Sequence, residues 1–245
     1  MTFPQAMMRS RIPFPRKSLA VTALAGAILG GTGVARAEFS KVVPGITYER
    51  IQVPGQVHHV VRVVQGPLIG IRPVLTAGTP SRRAPLTSAM RDRLGEGAVV
   101  GVNGDYFNLD NAYPSGLLMS AGEIVSEPEA TRSALVFPAS GRLSSAKVEL
   151  AGTWQATDQA MPAPLPLRTF IGVNRPSERA NETIVYTPAY RDVTVTGDRV
   201  DAIITMDDPA GPGVNRPLAG TVHSVHPGGG TGIGPGKLVI SGVGD

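Results

Sequence analysis

The residues best suited to chemistry in this chain lie in one window, residues 102–133. Asn103, Gly104 and Asp105 follow residues 98–102, an apolar run that predicts a buried strand. A carboxylate at the end of such a strand is partly desolvated, which suits general acid or base catalysis, although Asp105 could instead only bond to its own turn. Asn103 could bind a sugar hydroxyl or amide, and Gly104 could let a ligand approach the backbone, but Asn-Gly is also an ordinary turn dipeptide.

Three further candidates in this window are a carboxylate, a guanidinium and an aromatic ring. Glu123 follows a predicted hairpin turn and would supply the second carboxylate that glycoside hydrolysis usually needs, or would only keep the hairpin end soluble. Arg132 could hold a phosphate through two N–H groups, or could pair with Glu127 or Glu129 on the surface. Tyr106 could stack on a sugar ring or pack in a core. The sequence alone leaves each of these alternatives open.

The window resembles the phosphodiester glycosidase family, secreted proteins related to the enzyme that removes N-acetylglucosamine from its phosphodiester on lysosomal-enzyme glycans. The resemblance is carried by NGDYF at 103–107, PSGLL at 114–118, GEIV at 122–125 and RSA at 132–134, with weaker matches at 172–176, 185–190 and 237–242. It implies a mixed α/β domain and a phosphodiester-linked sugar as substrate. The candidate catalytic residues are Asp105 and Glu123, and the candidate substrate-binding residues are Asn103, Gly104, Ser115, Gly116, Arg132 and Arg175.

A late motif of the resembled family is missing from this sequence. Members of the family continue beyond the position of Gly242 with further strands and the motif Asn-Leu-Asp-Gly-Gly-Gly-Ser-Ser, which the resemblance places at the active site. We therefore expect an incomplete domain, truncated at its C-terminus, with an exposed sheet edge at residues 237–240. The function predicted first is a secreted glycoside hydrolase acting on a GlcNAc-1-phosphodiester or a cell-envelope glycan phosphate. The alternatives are a non-catalytic module that binds carbohydrate or an envelope polymer, and an inactive truncated product.

The N-terminal 37 residues predict a secretory signal peptide. Basic residues precede an apolar stretch at 19–34, which is too short for a membrane span, and Ala35-Arg36-Ala37 reads as a cleavage site. Five of the 23 basic residues and none of the 19 acidic residues lie in this segment, so its removal leaves 18 against 19 and a net charge of −1. We therefore expect a secreted, periplasmic or extracellular protein with a carbohydrate or sugar-phosphate partner, no nucleic acid partner and no membrane span after cleavage.

The composition predicts an α+β fold (mixed α/β), a β-rich single domain of short strands and hairpins with few helices. The 30 glycines and 22 prolines favour many turns, and without cysteine the stability must come from an apolar core. After the signal peptide at 1–37, residues 38–98 predict two edge strands with a turn at Pro54-Gly55 and a helix at 86–94, and 99–245 form the glycosidase-like portion. Thr87 is the expected helix cap and Gly95 the expected stop.

Several shorter patterns complete the prediction. One hairpin should turn at Ala121-Gly122, and another should pair residues 135–137 with 147–150. His223 and His226 have a spacing that could hold a metal ion, but no carboxylate or third histidine follows in a suitable pattern. We therefore predict no metal site, and the sequence assigns no cofactor.

Overall fold

The computed structural model describes residues 36–64, 66–120, 122–138, 143–175, 180–208 and 213–243. The predicted signal peptide therefore lies outside the described residues up to position 35. The fold is β-rich, with 42% strand and 7% helix, which confirms the prediction of a mostly β fold with few helices. Within the described part of the chain, no helix is both long and apolar enough to cross a membrane.

The described residues form two compact units. We call residues 36–71 the N-terminal unit and residues 72–243 the main unit, each within the described ranges. The predicted helix belongs to the main unit and not to the same segment as the N-terminal strands.

The N-terminal unit is a three-stranded antiparallel meander with the order β1-β2-β3. The strands are β1 (Arg36–Val43), β2 (Ile46–Val53) and β3 (Gln56–Val63), one more than predicted. Pro44-Gly45 and Pro54-Gly55 make its two turns, with positive φ at both glycines. The predicted Pro54-Gly55 turn is thus confirmed.

The main unit contains one α-helix, eleven strands and two short 3-10 turns among its described residues. It begins with α1 (Leu86–Asp92), then a 3-10 turn at Leu94–Glu96. The hairpin strands and the sheet strands follow, with a second 3-10 turn at Pro188–Tyr190: β4 (Leu118–Ser120), β5 (Glu123–Ser126), β6 (Ser133–Val136), β7 (Ser144–Lys147), β8 (Gly152–Trp154), β9 (Arg168–Phe170), β10 (Gly172–Val173), β11 (Thr183–Tyr186), β12 (Thr196–Met206), β13 (Gly220–Gly229) and β14 (Lys237–Gly242).

Strand β14 lies at the centre of a five-stranded sheet with the order β10-β11-β14-β12-β13. It pairs antiparallel with β11 on one side and with β12 on the other. The expected exposed edge at residues 237–240 is therefore wrong. Because Leu238, Val239 and Ile240 are all buried, the strand is covered on both faces, which is why its sequence is apolar without alternation.

The two faces of this sheet carry separate cores. On one face, Ile184, Tyr186, Tyr190, Ile203 and Val239 form a buried cluster against which Tyr113 packs. The other face buries Ile204, Met206, Leu238 and Ile240, and Trp154 and Leu218 pack against it. Alternate residues of β11, β12 and β14 thus serve opposite faces, as the two-residue period of a strand requires.

Residues 98–102 do not form the predicted buried strand. None of the described strands pairs with them, and Val99, Val100 and Val102 are 45%, 38% and 82% exposed. The segment instead passes α1, because a Cβ at Gly101 would lie 2.5 Å from Met90 Sδ. A strand needs a neighbouring strand to bond its backbone N–H and C=O groups, and residues 98–102 have no such neighbour among the described residues. Their apolar composition alone was therefore not enough to make them a strand.

The predicted helix and hairpins are confirmed in kind and corrected in detail. Pro85, not Thr87, precedes the first turn of α1 without a side-chain cap, and the left-handed residue after the 3-10 turn is Gly97, not Gly95. The β4–β5 hairpin is formed, with Ala121 outside the described residues. In the next hairpin β6 pairs with β7, which begins three residues before the predicted second strand.

Candidate functional site

Asp105 and Arg132 form an ion pair, the central contact of the candidate site. Arg132 Nη2 lies 2.5 Å from Asp105 Oδ1, with the two side chains 33% and 38% exposed. The Arg132 backbone N–H donates to Glu129 O at 3.0 Å, so a turn just before β6 directs the guanidinium towards Asp105. Of the acidic residues near it in the sequence, Glu129 instead accepts a hydrogen bond from Thr131 Oγ1 at 3.1 Å.

The backbone at Ser115 and Gly116 forms one wall of this ion pair. Arg132 Nη1 donates to Ser115 O at 3.0 Å, and Ser115 N–H in turn donates to Tyr106 O at 2.9 Å. A Cβ at Gly116 would lie 3.1 Å from Asp105 Oδ2, so the absence of a side chain there keeps the carboxylate close. The Arg132 guanidinium also lies 5.4 Å from the centre of the Tyr106 ring, which is 79% exposed.

No contact among the described residues joins Asn103, Gly104 or Glu123 to this ion pair. Asn103 and Gly104 are exposed, and a Cβ at Gly104 would meet nothing within 4 Å. Glu123 pairs with Ser120 across the β4–β5 hairpin. Among the described residues, no hydrogen bond or ion pair joins the Glu123 side chain to Asp105 or Arg132.

Arg175 lies in a second, more buried cluster with two glutamates. Its Nε is 2.5 Å from Glu127 Oε1, and its Nη1 and Nη2 donate to the Glu182 carboxylate at 3.4 Å each. Glu127 Oε2 also accepts the Val173 N–H at 3.1 Å. A Cβ at Gly172 would lie 2.8 Å from both Arg175 Nε and Glu127 Oε2, so glycine is required for this approach.

Burial also affects the protonation of Glu127 in this second cluster. Burial raises the pKa of Glu127 above its ordinary value, and the Arg175 guanidinium offsets only part of that effect. Tyr113 lies beside it: its hydroxyl accepts the Glu127 N–H at 3.3 Å and donates to Val173 O at 3.4 Å. Burial likewise raises the pKa of Tyr113. A carboxyl group with a raised pKa is a candidate general acid.

Asn174 fixes the backbone that carries Arg175. Asn174 is fully buried with φ of 55°, and its Nδ2 donates to Ile124 O at 2.7 Å and to Thr187 Oγ1 at 3.0 Å. Its Oδ1 accepts the Thr187 N–H at 2.7 Å. These bonds tie the end of β10 to β5 and to the residue after β11, so Asn174 positions the backbone that carries Arg175.

Glu127, Glu182 and Tyr113 were not predicted as site residues. Glu127 directly follows β5, which ends at Ser126, so the end of a predicted strand was the available signal for it. No comparable local signal marks Glu182 or Tyr113. Among the described residues, no group of three or more histidines, aspartates and glutamates could hold a metal ion.

The fold is similar to that of one solved protein. No protein-family model matches the sequence, and no curated protein matches it. A crystal structure of a hypothetical protein from Synechocystis matches with a TM-score of 0.59 and 20% identity, over 86% of this chain and 37% of that one. The chain thus spans little more than a third of the length of that protein, and a likeness at this identity shows the fold alone.

Proposed function

We propose that the protein is a secreted glycoside hydrolase that acts on phosphodiester-linked sugars, such as a GlcNAc-1-phosphodiester or a cell-envelope glycan phosphate. The observation that carries the proposal is the ion pair of Asp105 and Arg132, which is open to solvent and lies next to an exposed aromatic ring. We also propose that the protein has the mixed α/β fold that its resemblance to the phosphodiester glycosidase family implies. Its sequence support is the resemblance of residues 103–134 to the phosphodiester glycosidase family.

The exposure of the ion pair makes its arginine available to an anion. An exposed pair of this kind contributes only about 0–1 kcal/mol to stability, so a phosphate group can share or displace the carboxylate at little cost. A guanidinium matches two phosphate oxygens with two N–H groups. Asp105 would then be released to bond to a sugar hydroxyl or to act in acid or base catalysis, while Tyr106 offers a surface for the sugar ring.

Release of N-acetylglucosamine from UDP-N-acetylglucosamine by the full chain tests the proposal. Arg132→Ala should lower kcat/KM about 10- to 100-fold through loss of a charge-assisted bond, and Arg132→Lys should lose less. Asp105→Asn should lower kcat by about 10²-fold or more. Arg82→Ala, an exposed arginine on another loop, is the control. If Arg132→Ala cleaves the substrate as well as the unmodified chain does, the phosphate role is wrong.

A second candidate is a carbohydrate-binding module without catalysis. The observation that favours it is that no contact among the described residues links Glu123, the other candidate carboxylate, to Asp105 or Arg132, whereas glycoside hydrolysis usually needs two carboxylates at one site. Calorimetry with GlcNAc-1-phosphate distinguishes the two functions. Binding without turnover that is lost in Arg132→Ala supports a binding module, and the absence of any binding eliminates it.

A further inference from the structure

Strand β13 is an open edge of the five-stranded sheet. It stands last in the strand order and pairs with β12, and within the described ranges no strand or bridge lies along its other side. Alternate backbone N–H and C=O groups of an edge strand point away from the sheet and can bond a further strand. Because β13 is ten residues long, it offers a long run of such groups.

The side chains of β13 do not protect this edge with charge. Residues 220–229 contain no lysine, arginine, aspartate or glutamate, although natural proteins commonly place charges on edge strands to prevent association. Most of the strand is exposed, and Val222 and Val225 are 40% and 55% exposed. Pro227 lacks an N–H and closes one end of the edge, so residues 221–226 remain open to pairing.

A β-bulge at His223 brings the two exposed valines to one face of the sheet. Val222 pairs with Ile204 of β12. Val225 pairs with Ala202, two residues earlier on β12, and His223 is the extra residue on β13. In a regular strand, two residues three positions apart would face opposite sides. Since Ile204 belongs to a buried cluster against which Ala202 packs, the valines extend this apolar face to the edge.

A second copy of the same edge fits these features. Two β13 strands related by a twofold axis perpendicular to the sheet run antiparallel, so Val222 of one copy can lie opposite Val225 of the other on the same face. Each valine then gains an apolar cross-strand partner, and no like charges meet. By contrast, the edge strand β3 of the N-terminal unit carries Arg62 in an ion pair with Glu49, so it offers no uncharged surface of this kind.

We infer that the main unit forms a twofold dimer through β13, in which residues 221–226 of two copies pair antiparallel and join the two sheets into one. The added strand bonds the free backbone groups of the edge, which is how an exposed edge generally takes up an extended segment. Val222 of each copy faces Val225 of the other. The contact uses neither Asp105 nor Arg132, so it is independent of the proposed hydrolysis.

Light scattering of the full chain over a range of concentrations tests this dimer. The unmodified chain should change from monomer to dimer as its concentration rises. Val225→Lys and Val222→Glu should each lose the dimer, because each places a charge opposite a valine at the edge. An equal mixture of these two variants should form the dimer again, since the introduced lysine and glutamate face each other across the axis. Leu135→Lys on β6, at a position 61% exposed, is the matched control and should remain dimeric.

Circular dichroism verifies that each variant is folded. Loss of the dimer in both charged variants, with its return in their mixture, supports the inference. A chain that is monomeric at every concentration, or a dimer that survives in both Val225→Lys and Val222→Glu, overturns it. A mixture that stays monomeric overturns the register in which the two valines face each other.

Discussion

Replacement of Asn174 by alanine should destabilise the main unit much more than the same change at Asn181. Both residues have a left-handed backbone, with φ of 55° and 61°, but Asn174 is fully buried whereas Asn181 is exposed. Alanine tolerates this conformation less well than asparagine, whose short polar side chain can bond locally, and this cost is common to both alanine variants. The difference between them therefore measures the side-chain hydrogen bonds of Asn174.

The magnitude follows from the groups that Asn174→Ala leaves behind. The Thr187 N–H and the Ile124 carbonyl each lose their bond to the Asn174 carboxamide. A buried polar group without a partner costs about 1–3 kcal/mol, so two such groups cost about 2–6 kcal/mol. Asn174→Ala should thus lower the free energy of unfolding by about 2–6 kcal/mol more than Asn181→Ala does.

Urea unfolding followed by Trp154 fluorescence measures both variants, because Trp154 belongs to the same unit as Asn174 and Asn181. Asn174→Gly and Asn181→Gly repeat the comparison without the backbone strain, and the difference between them should persist. If the alanine variants at the two positions have equal free energies of unfolding, the hydrogen bonds of Asn174 do not hold this part of the fold.

Two further predictions concern the cluster around Arg175 and the end of β13. The pKa of Glu127 is raised above 4.5 in the folded chain, so the folded state binds this proton more tightly than the unfolded state does. The stability of the unmodified chain relative to Glu127→Gln should therefore be greatest below pH 4.5 and should decrease as the pH rises through the folded pKa. Urea unfolding from about pH 4 to about pH 7 measures this difference in stability, and an increase with pH contradicts the prediction. Gly229→Ala should destabilise more than Gly228→Ala, since both have positive φ but only the Cβ at Gly229 would meet a backbone atom, Val195 O at 2.1 Å; equal melting temperatures would refute the clash.

The features that the sequence predicted correctly depend on neighbouring residues. A Pro-Gly pair fixes its own dihedral angles, so the turn at Pro54-Gly55 could be identified from two residues. The β4–β5 hairpin likewise depends on a short turn, and Gly122 there has φ of 83°. In such cases the local backbone preference decides the structure before any distant contact forms.

The features that the sequence did not predict depend on distant partners. The position of β14 is set by its pairing with β11 and β12, tens of residues earlier in the chain. An apolar strand such as Lys237–Gly242 has the same composition whether its partners are present on one side or on both. For the same reason residues 98–102 have a strand composition but no strand partner among the described residues. Pairing, and not propensity, distinguishes these two segments.

The two arginines that the sequence marked as anion-binding candidates differ in how strongly their guanidinium groups are already engaged. Arg175 lies between Glu127 and Glu182, and Glu182 is 4% exposed, so a phosphate would have to compete with two carboxylates in a buried place. Arg132 has one carboxylate partner and is 33% exposed. Removal of a buried partner leaves an uncompensated charge, whereas an exposed pair opens at little cost. Arg132 is therefore the better candidate for the proposed phosphate contact, and Arg175 is better suited to hold Glu127 in place.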